Sequence, residues 1–183
     1  MAIWQYNLDV IPKDSIIKKH GEIPDLLFID HDSWESYWKK NHESKTIMQP
    51  SFEDAKTINW WDDFKLDSEK IATLIDSLVT RSIYNRENSG MTAWKGDTDN
   101  RQDNDVHLSY DPVSKTISEF RFRVDVRDKK NIDTFLNGMI NICKEHDLMV
   151  YNEDGKLMSP SMDLILNDLK TSNAQSFIRR ITG

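Results

Sequence analysis

The chain has 183 residues, of which 38% are apolar and 30% charged, so it can bury a core and is too apolar to stay disordered. Its formal net charge of −7 argues against nucleic-acid binding and fits better with solubility or with a basic protein partner. The single cysteine excludes an intramolecular disulfide, and no apolar run approaches the roughly 20 residues of a membrane span. Since the first residues lack a signal-peptide pattern, we expect one cytoplasmic domain over residues 1–183, with no membrane contact.

The first half of the chain predicts a strand, an irregular arm and a helix. Residues 4–10 alternate apolar and polar side chains, which predicts a half-buried strand that ends at Pro12. A short helix over residues 14–20 follows, closed by Gly21. Residues 22–66 are rich in aromatics and predict an arm of short helices and loops, one of them opened by a capping box of Asp32 and Glu35. The i, i+3, i+4 apolar spacing after Ser68 predicts a helix capped by that serine.

The second half predicts most of the sheet. A short strand over residues 91–95 precedes a polar loop, and alternation over 106–110 and 119–127 predicts a long antiparallel hairpin. A helix then begins at Asn131, a strand covers residues 148–151, and residues 156–158 pair back onto it through an Asp-Gly turn. The last helix starts at Ser159 and Pro160 and extends to Ile181.

This order of elements predicts an α+β fold, a two-layer antiparallel sheet with helices on one face. Its β-α-β-β-α-β kernel resembles a ferredoxin-like split βαβ unit, to which the aromatic arm of residues 22–66 is added. The core face of the sheet is predicted to carry Trp4, Tyr6, Leu8, Val106, Leu108, Phe120, Phe122 and Val124.

The opposite, polar face of the sheet is the only surface that the sequence marks as a candidate site. It carries His107, Glu119, Arg121, Arg123 and Asp125, with Asp9 expected nearby. Charged rows of this kind usually stabilise a sheet through cross-strand pairs. If the face is open, the arginines could hold an anion and His107 could act as an acid or base.

Most aromatic side chains of the arm are expected in the core, Trp60 and Trp61 among them. Trp34 and Trp38 are the candidates for contact with a partner, because tryptophan is enriched at binding hot spots.

No pattern for a metal, a cofactor or a catalytic residue is present. The acidic loop from Asp97 to Asp105 lacks the residues that an EF-hand needs at its fifth, sixth and twelfth positions. None of the five histidines has a zinc-ligand spacing, and Cys143 lies on the apolar stripe of its predicted helix. Glycine-rich nucleotide loops and the Gly-x-Ser-x-Gly elbow are absent from the sequence.

Four segments give the chain a family resemblance over about residues 60–180. They are Trp60-Trp61, the stretch Trp94-Lys95-Gly96-Asp97, the strand Arg121-x-Arg123-x-Asp125-x-Arg127, and the tail with Pro160 and Ser172-Asn173-Ala174-Gln175-Ser176-Phe177. These segments resemble a group of small bacterial proteins of unestablished function. The resemblance implies a stand-alone accessory factor of the toxin-immunity type, and it implies no active-site residue.

Three hypotheses about function follow from the sequence. The first is a non-enzymatic binding protein that neutralises a basic toxin; the second is a binder of a small anionic ligand, or an enzyme, that uses the polar face. The third is a structural subunit that oligomerises through the arm or the sheet. An open, concave polar face with His107 and two arginines would favour a ligand, and a flat acidic surface would favour a protein partner.

Overall fold

The computed structural model describes residues 4–43, 48–86, 89–172 and 176. The strands are β1 (Gln5–Pro12), β2 (Met91–Lys95), β3 (Asp105–Tyr110), β4 (Ile117–Asp125), β5 (Leu148–Tyr151) and β6 (Leu157–Met158). The helices are α1 (Lys13–His20), α2 (His31–Glu43), α3 (Ser68–Asp76), α4 (Lys129–Asn131), a π-helical segment (Ile132–Leu136), α5 (Asn137–Glu145) and α6 (Met162–Leu169). The predicted end of the last helix falls largely outside the described residues.

The six strands form one sheet in the order β2-β3-β4-β1-β5-β6. Every pairing between these strands is antiparallel. The α+β class and the antiparallel sheet are therefore confirmed. A split βαβ unit needs a parallel pair of strands, and none occurs among the pairings of the described residues. The ferredoxin-like kernel is not confirmed.

The core face of the sheet is the one that the alternation predicts, except that Trp4 is only half-buried and its Nε1 donates to Asp103 at 3.1 Å. Leu8 pairs with Phe122 across β1 and β4, and Phe122 pairs with Val106 on β3, so these side chains project to the same side. The ring of Phe135 in the π-helical segment lies 6.2 Å from that of Phe122. On the same face, the Tyr6 hydroxyl donates to a carboxylate oxygen of Asp168 in α6 at 2.6 Å. Hydrogen bonding thus fixes α6 against the sheet.

Three helices are capped one to three residues before the predicted position. The side chain of Asp67 accepts from the backbone N–H groups of Glu69 and Lys70 at the start of α3. The side chain of Asp128 accepts from the backbone N–H groups of Lys130 and Asn131 at the start of α4. Asp30 accepts from the backbone N–H of Ser33 at 3.0 Å. The predicted cap at Ser68, the predicted start at Asn131 and the capping box at Asp32 are therefore wrong, because an aspartate just upstream is an equally good N-cap.

The arm packs over the opposite side of the sheet. The backbone oxygen of Ala55 accepts hydrogen bonds from Trp60 Nε1 at 2.8 Å and from the hydroxyl of Tyr151 on β5 at 3.3 Å. Trp60 and Trp61 are buried, as predicted. Because the arm carries α2 onto this side, the expected confinement of the helices to one face is not confirmed.

Loop segments cover both edge strands. The backbone N–H of Lys95 on β2 donates to Thr80 at 2.9 Å, and that of Leu157 on β6 donates to Asp25 at 3.0 Å. These bonds occupy edge groups that would otherwise be free to pair with another chain. They also bring residues 80–86 and the arm to opposite sides of the polar face.

Candidate ligand-binding cleft

A cleft of about 1020 Å³ opens on the polar face of the sheet. Its floor is formed by β1, β3, β4 and β5, one wall by the arm, and the other rim by residues 82 and 84. The volume is just above the usual range for small-molecule sites, about 300 to 1,000 Å³. The polar face is thus open and concave.

The centre of the floor is a row of four side chains on four neighbouring strands. Tyr151 pairs with Asp9, Asp9 with Arg121, and Arg121 with His107. Directly paired residues project to the same face, so the backbone register alone brings these groups together. The site is therefore built on rigid strands rather than on loops.

The two arginines of the polar face differ in their partners. Arg123 and Lys95 both form ion pairs with Asp105, the latter at 2.8 Å from Nζ to Oδ1. The side chain of Arg121 is 54% exposed, and its ion pair is a long one, 3.6 Å from Nη1 to Oε1 of Glu119. Arg121 is thus the floor cation with unused hydrogen-bonding capacity. Lys56, exposed at the rim, forms no ion pair with a described residue.

Asp9 lies half-buried beside Arg121 and has no hydrogen bond or ion pair with any described residue. Burial raises the pKa of its carboxyl to about 6, and the nearby Glu119 and Glu153 add to this rise. Lys56 and Arg121 oppose it. A carboxyl with a raised pKa in a cleft is typical of functional sites.

His107 has polar partners within the floor. Its Nε2 lies 3.1 Å from the hydroxyl of Ser109, which donates to Glu119 at 3.2 Å. Burial, and then the positive charge of Arg121, lowers the pKa of His107 below its usual value, although Glu119 acts in the other direction. The imidazole is therefore mostly neutral at pH 7.

The arm supplies an aromatic wall through α2. Trp34, Tyr37 and Trp38 all line the cleft, and the rings of Trp34 and Trp38 are stacked with centroids 5.9 Å apart. Trp38 is 62% exposed, which leaves a large part of its ring available for contact.

A buried carboxylate, Asp54, holds this wall in place. One of its oxygens accepts from Trp34 Nε1 at 2.6 Å and from the backbone N–H of Asp30 at 3.1 Å. Its other oxygen accepts from the backbone N–H groups of Lys56 and Thr57. The same side chain thus fixes the start of α2 and the loop that carries Lys56.

The opposite rim carries a second exposed ring, Tyr84, which is 84% exposed. Its segment is attached to β2. The backbone N–H of Ser82 donates to the Ala93 carbonyl at 2.9 Å. The side-chain amide of Asn85 donates to the same carbonyl and accepts from the Ala93 N–H, each at 2.8 Å. Aromatic side chains therefore border the cleft on both sides.

Six of the seven residues predicted for the site line this cleft: His107, Glu119, Arg121, Arg123, Trp34 and Trp38. Asp125 does not, because its side chain is fully buried at the end of β4 and pairs with Arg127 at 2.6 Å. Lys56 and Tyr84 were not predicted, and only the three-dimensional course of the arm and of residues 80–86 reveals them.

Part of the acidic loop that precedes β3 has a structural role. Asp103 and Asp105 are buried, and both form ion pairs with Lys95. Within the described residues, no group of three or more His, Cys, Asp or Glu side chains could hold a metal ion.

The helices of the described part are all too short or too polar to cross a membrane.

Comparison with known proteins gives no relative. No protein-family model, curated protein or solved structure matches the chain. The resemblance to bacterial immunity-type proteins therefore stays a prediction.

Proposed function

We propose that this protein binds a small ligand in the cleft, and that the ligand combines an anionic group with a planar apolar group. The observation that carries the proposal is Arg121, whose guanidinium is half-exposed and has one long ion pair. It lies on the floor of a cleft that Trp38 borders. This is the second of the three hypotheses that the sequence supports.

The chemistry of the two groups supports this choice. A guanidinium presents a planar fork of N–H donors that matches a carboxylate or phosphate, and partial removal from water strengthens such bonds. A planar group of the ligand could stack on the indole of Trp38, which is energetically favourable beyond simple burial. Arg123 contributes less, because Asp105 already occupies its guanidinium.

The test is calorimetric titration with indole-3-propionate, which has one carboxylate and one planar ring. We expect saturable binding that weakens at least tenfold in Arg121→Gln. The matched control is Arg101→Gln, in an exposed loop outside the cleft lining, which should leave the affinity unchanged. Absence of binding to the wild-type protein, or equal affinity in the two variants, would contradict the proposal.

A protein partner is the second candidate, in line with the first hypothesis from the sequence. The observation that favours it is a pair of exposed apolar side chains on the arm outside the cleft lining, Leu26 at 63% and Phe28 at 68%. The net charge of −7 would speed association with a basic toxin. Its test is co-purification with the product of the adjacent reading frame, for the wild-type protein and for Phe28→Ala. If no stoichiometric complex forms at low salt, this candidate fails.

A further inference from the structure

We infer that the ligand of this cleft is a zwitterion of the aromatic amino-acid type, with its carboxylate on Arg121 and its ammonium group on Asp9. The inference rests on the proposed function, since it concerns the same cleft. It goes further because it assigns a second charged subsite and a chemical class to the ligand.

The first step is the charge around Arg121. Asp9 faces it from β1, and Glu119 lies two residues before it on the same side of β4. Neighbouring strands are about 4.8 Å apart, so both carboxyl groups lie within the length of one small ligand. A simple anion bound to Arg121 would therefore also meet two acidic groups, whereas an ammonium group on the same ligand would offset them.

The second step is that Asp9 is available for this role. Two other acids of the floor are already paired: Asp105 with Lys95 and Arg123, and Glu153 with the amide of Asn7. Asp9 has no such partner among the described residues. A half-buried carboxylate without a hydrogen bond or ion pair is costly, and an ammonium group placed beside it would recover part of that cost on binding.

The third step is the wall above these charges. Trp34 and Trp38 lie along the cleft with stacked rings, and Tyr84 lies at the other rim. An aromatic side chain attached to the carbon that bears both charged groups could extend from the floor to this wall. A free aromatic amino acid combines all three features in one small molecule.

The experiment compares three indole probes by calorimetry at pH 7.5: tryptophan, indole-3-propionate and tryptamine. All three share the indole ring. Tryptophan carries both charged groups, indole-3-propionate only the carboxylate, and tryptamine only the ammonium group. We expect tryptophan to bind at least tenfold more tightly than either of the others. If indole-3-propionate binds as tightly as tryptophan, the zwitterion inference is overturned and the proposed function stands. If none of the three binds, both fail.

A pH series adds a second readout, because Asp9 faces Arg121, Glu119, Glu153, Lys56 and Tyr151. As the pH falls from 7.5 to 5, Asp9 takes up a proton and loses the charge that the ammonium group needs. Tryptophan binding should then weaken severalfold, and indole-3-propionate binding should not. In Asp9→Asn the preference for tryptophan should disappear while indole-3-propionate still binds. The exposed Asp99→Asn serves as the control, and retention of the preference in Asp9→Asn would overturn the inference.

Discussion

Asp9 and Arg121 lie directly opposite each other on β1 and β4, yet they form no ion pair. The guanidinium instead reaches Glu119 at 3.6 Å, and the Asp9 carboxyl has no bonded partner among the described residues. Two opposite charges that could neutralise each other are thus held side by side at the bottom of an open cleft. This arrangement costs stability and leaves both groups able to bind a ligand.

The first prediction concerns this cost. The pKa of Asp9 is raised from 3.8 to about 6 in the folded protein, so the folded state binds more protons than the unfolded chain between these values. The contribution of Asp9 to stability is therefore most favourable below about pH 4 and is lost as the pH rises through about 6. Replacing Asp9 with asparagine should raise the free energy of unfolding by about 1 to 3 kcal/mol at pH 7.

Urea unfolding of the wild-type protein and Asp9→Asn between pH 3.5 and pH 8 measures this difference. The gain should shrink toward zero at the acidic end, where Asp9 is protonated in both states. Asp99→Asn, in an exposed loop, should show no such pH dependence. A destabilised Asp9→Asn at pH 7 would mean that the carboxylate has a stabilising partner.

The second prediction concerns Asp125, which belongs to the same strand as Arg121. Its carboxylate accepts from Asp103 N at 2.9 Å and from Arg127 N and Nε at 3.0 Å each. Asp125→Ala would leave the backbone N–H groups of Asp103 and Arg127 without this acceptor, and among the described residues the partly buried Arg127 guanidinium would keep only the Thr98 carbonyl, at 3.0 Å. We expect a loss of about 3 kcal/mol or more in the free energy of unfolding, measured by urea denaturation.

The matched control for this substitution is Asp99→Ala, which should stay within about 0.5 kcal/mol of wild type because its carboxylate is exposed. Asp125→Ala should also leave the affinity for indole-3-propionate unchanged at temperatures where it is folded. A stability close to wild type would show that the network at the end of β4 contributes little.

The contrast between Arg121 and Asp125 shows how far the sequence can be interpreted. Alternation along β4 predicts correctly that both point away from the core, because side chains of a strand alternate with a period of two. It cannot show that Asp125 lies at the end of the strand, beneath Arg127 and the turn at Asp103. That difference depends on contacts between distant segments.

The arm illustrates the same limit more strongly. Local patterns alone predict the strands and α1 within a few residues, and they predict β2 with its observed bounds Met91–Lys95. The position of the arm depends on contacts such as that between Tyr151 and Ala55, which are 96 residues apart in the chain. No local pattern encodes such a pairing, so the aromatic wall and Lys56 could not be placed beside the polar face.

The third prediction tests the docking of the arm. Gly155 has a φ of +84°, and a Cβ there would lie 2.1 Å from the backbone oxygen of Leu27. The Leu27 N–H also donates to Gly155 O at 2.8 Å, so this contact attaches the arm to the β5–β6 turn. Gly155→Ala must displace the arm backbone, and we expect faster hydrogen exchange in residues 25–30 as well as lower stability.

Gly21 provides a matched control, since its φ is +78° and a Cβ there would meet nothing within 4 Å. Gly21→Ala should cost about 1 kcal/mol through left-handed backbone strain alone. Gly155→Ala should cost at least about 1 kcal/mol more, because a backbone clash adds to the same strain. Equal losses in the two variants would show that the arm is not held at this contact.

The fourth prediction separates the two tryptophans of the wall. Trp38 is largely exposed, so Trp38→Ala should change the free energy of unfolding by less than about 0.5 kcal/mol. It should nevertheless weaken indole-3-propionate binding about three- to tenfold, the amount expected for one aromatic pair. Trp34→Phe keeps a ring but removes the hydrogen bond to Asp54, and we expect it to lower stability by about 1 to 2 kcal/mol.

Thermal or urea unfolding and calorimetry on the same two variants give the comparison. If Trp38 contacts the ligand directly, Trp38→Ala loses affinity at constant stability, whereas Trp34→Phe loses stability first. An unchanged affinity in Trp38→Ala would exclude its ring from the ligand contact. Binding would then depend mainly on the floor of the cleft, where Arg121 and Asp9 lie. Any contribution from the planar group of the ligand would have to come from Tyr84 at the other rim.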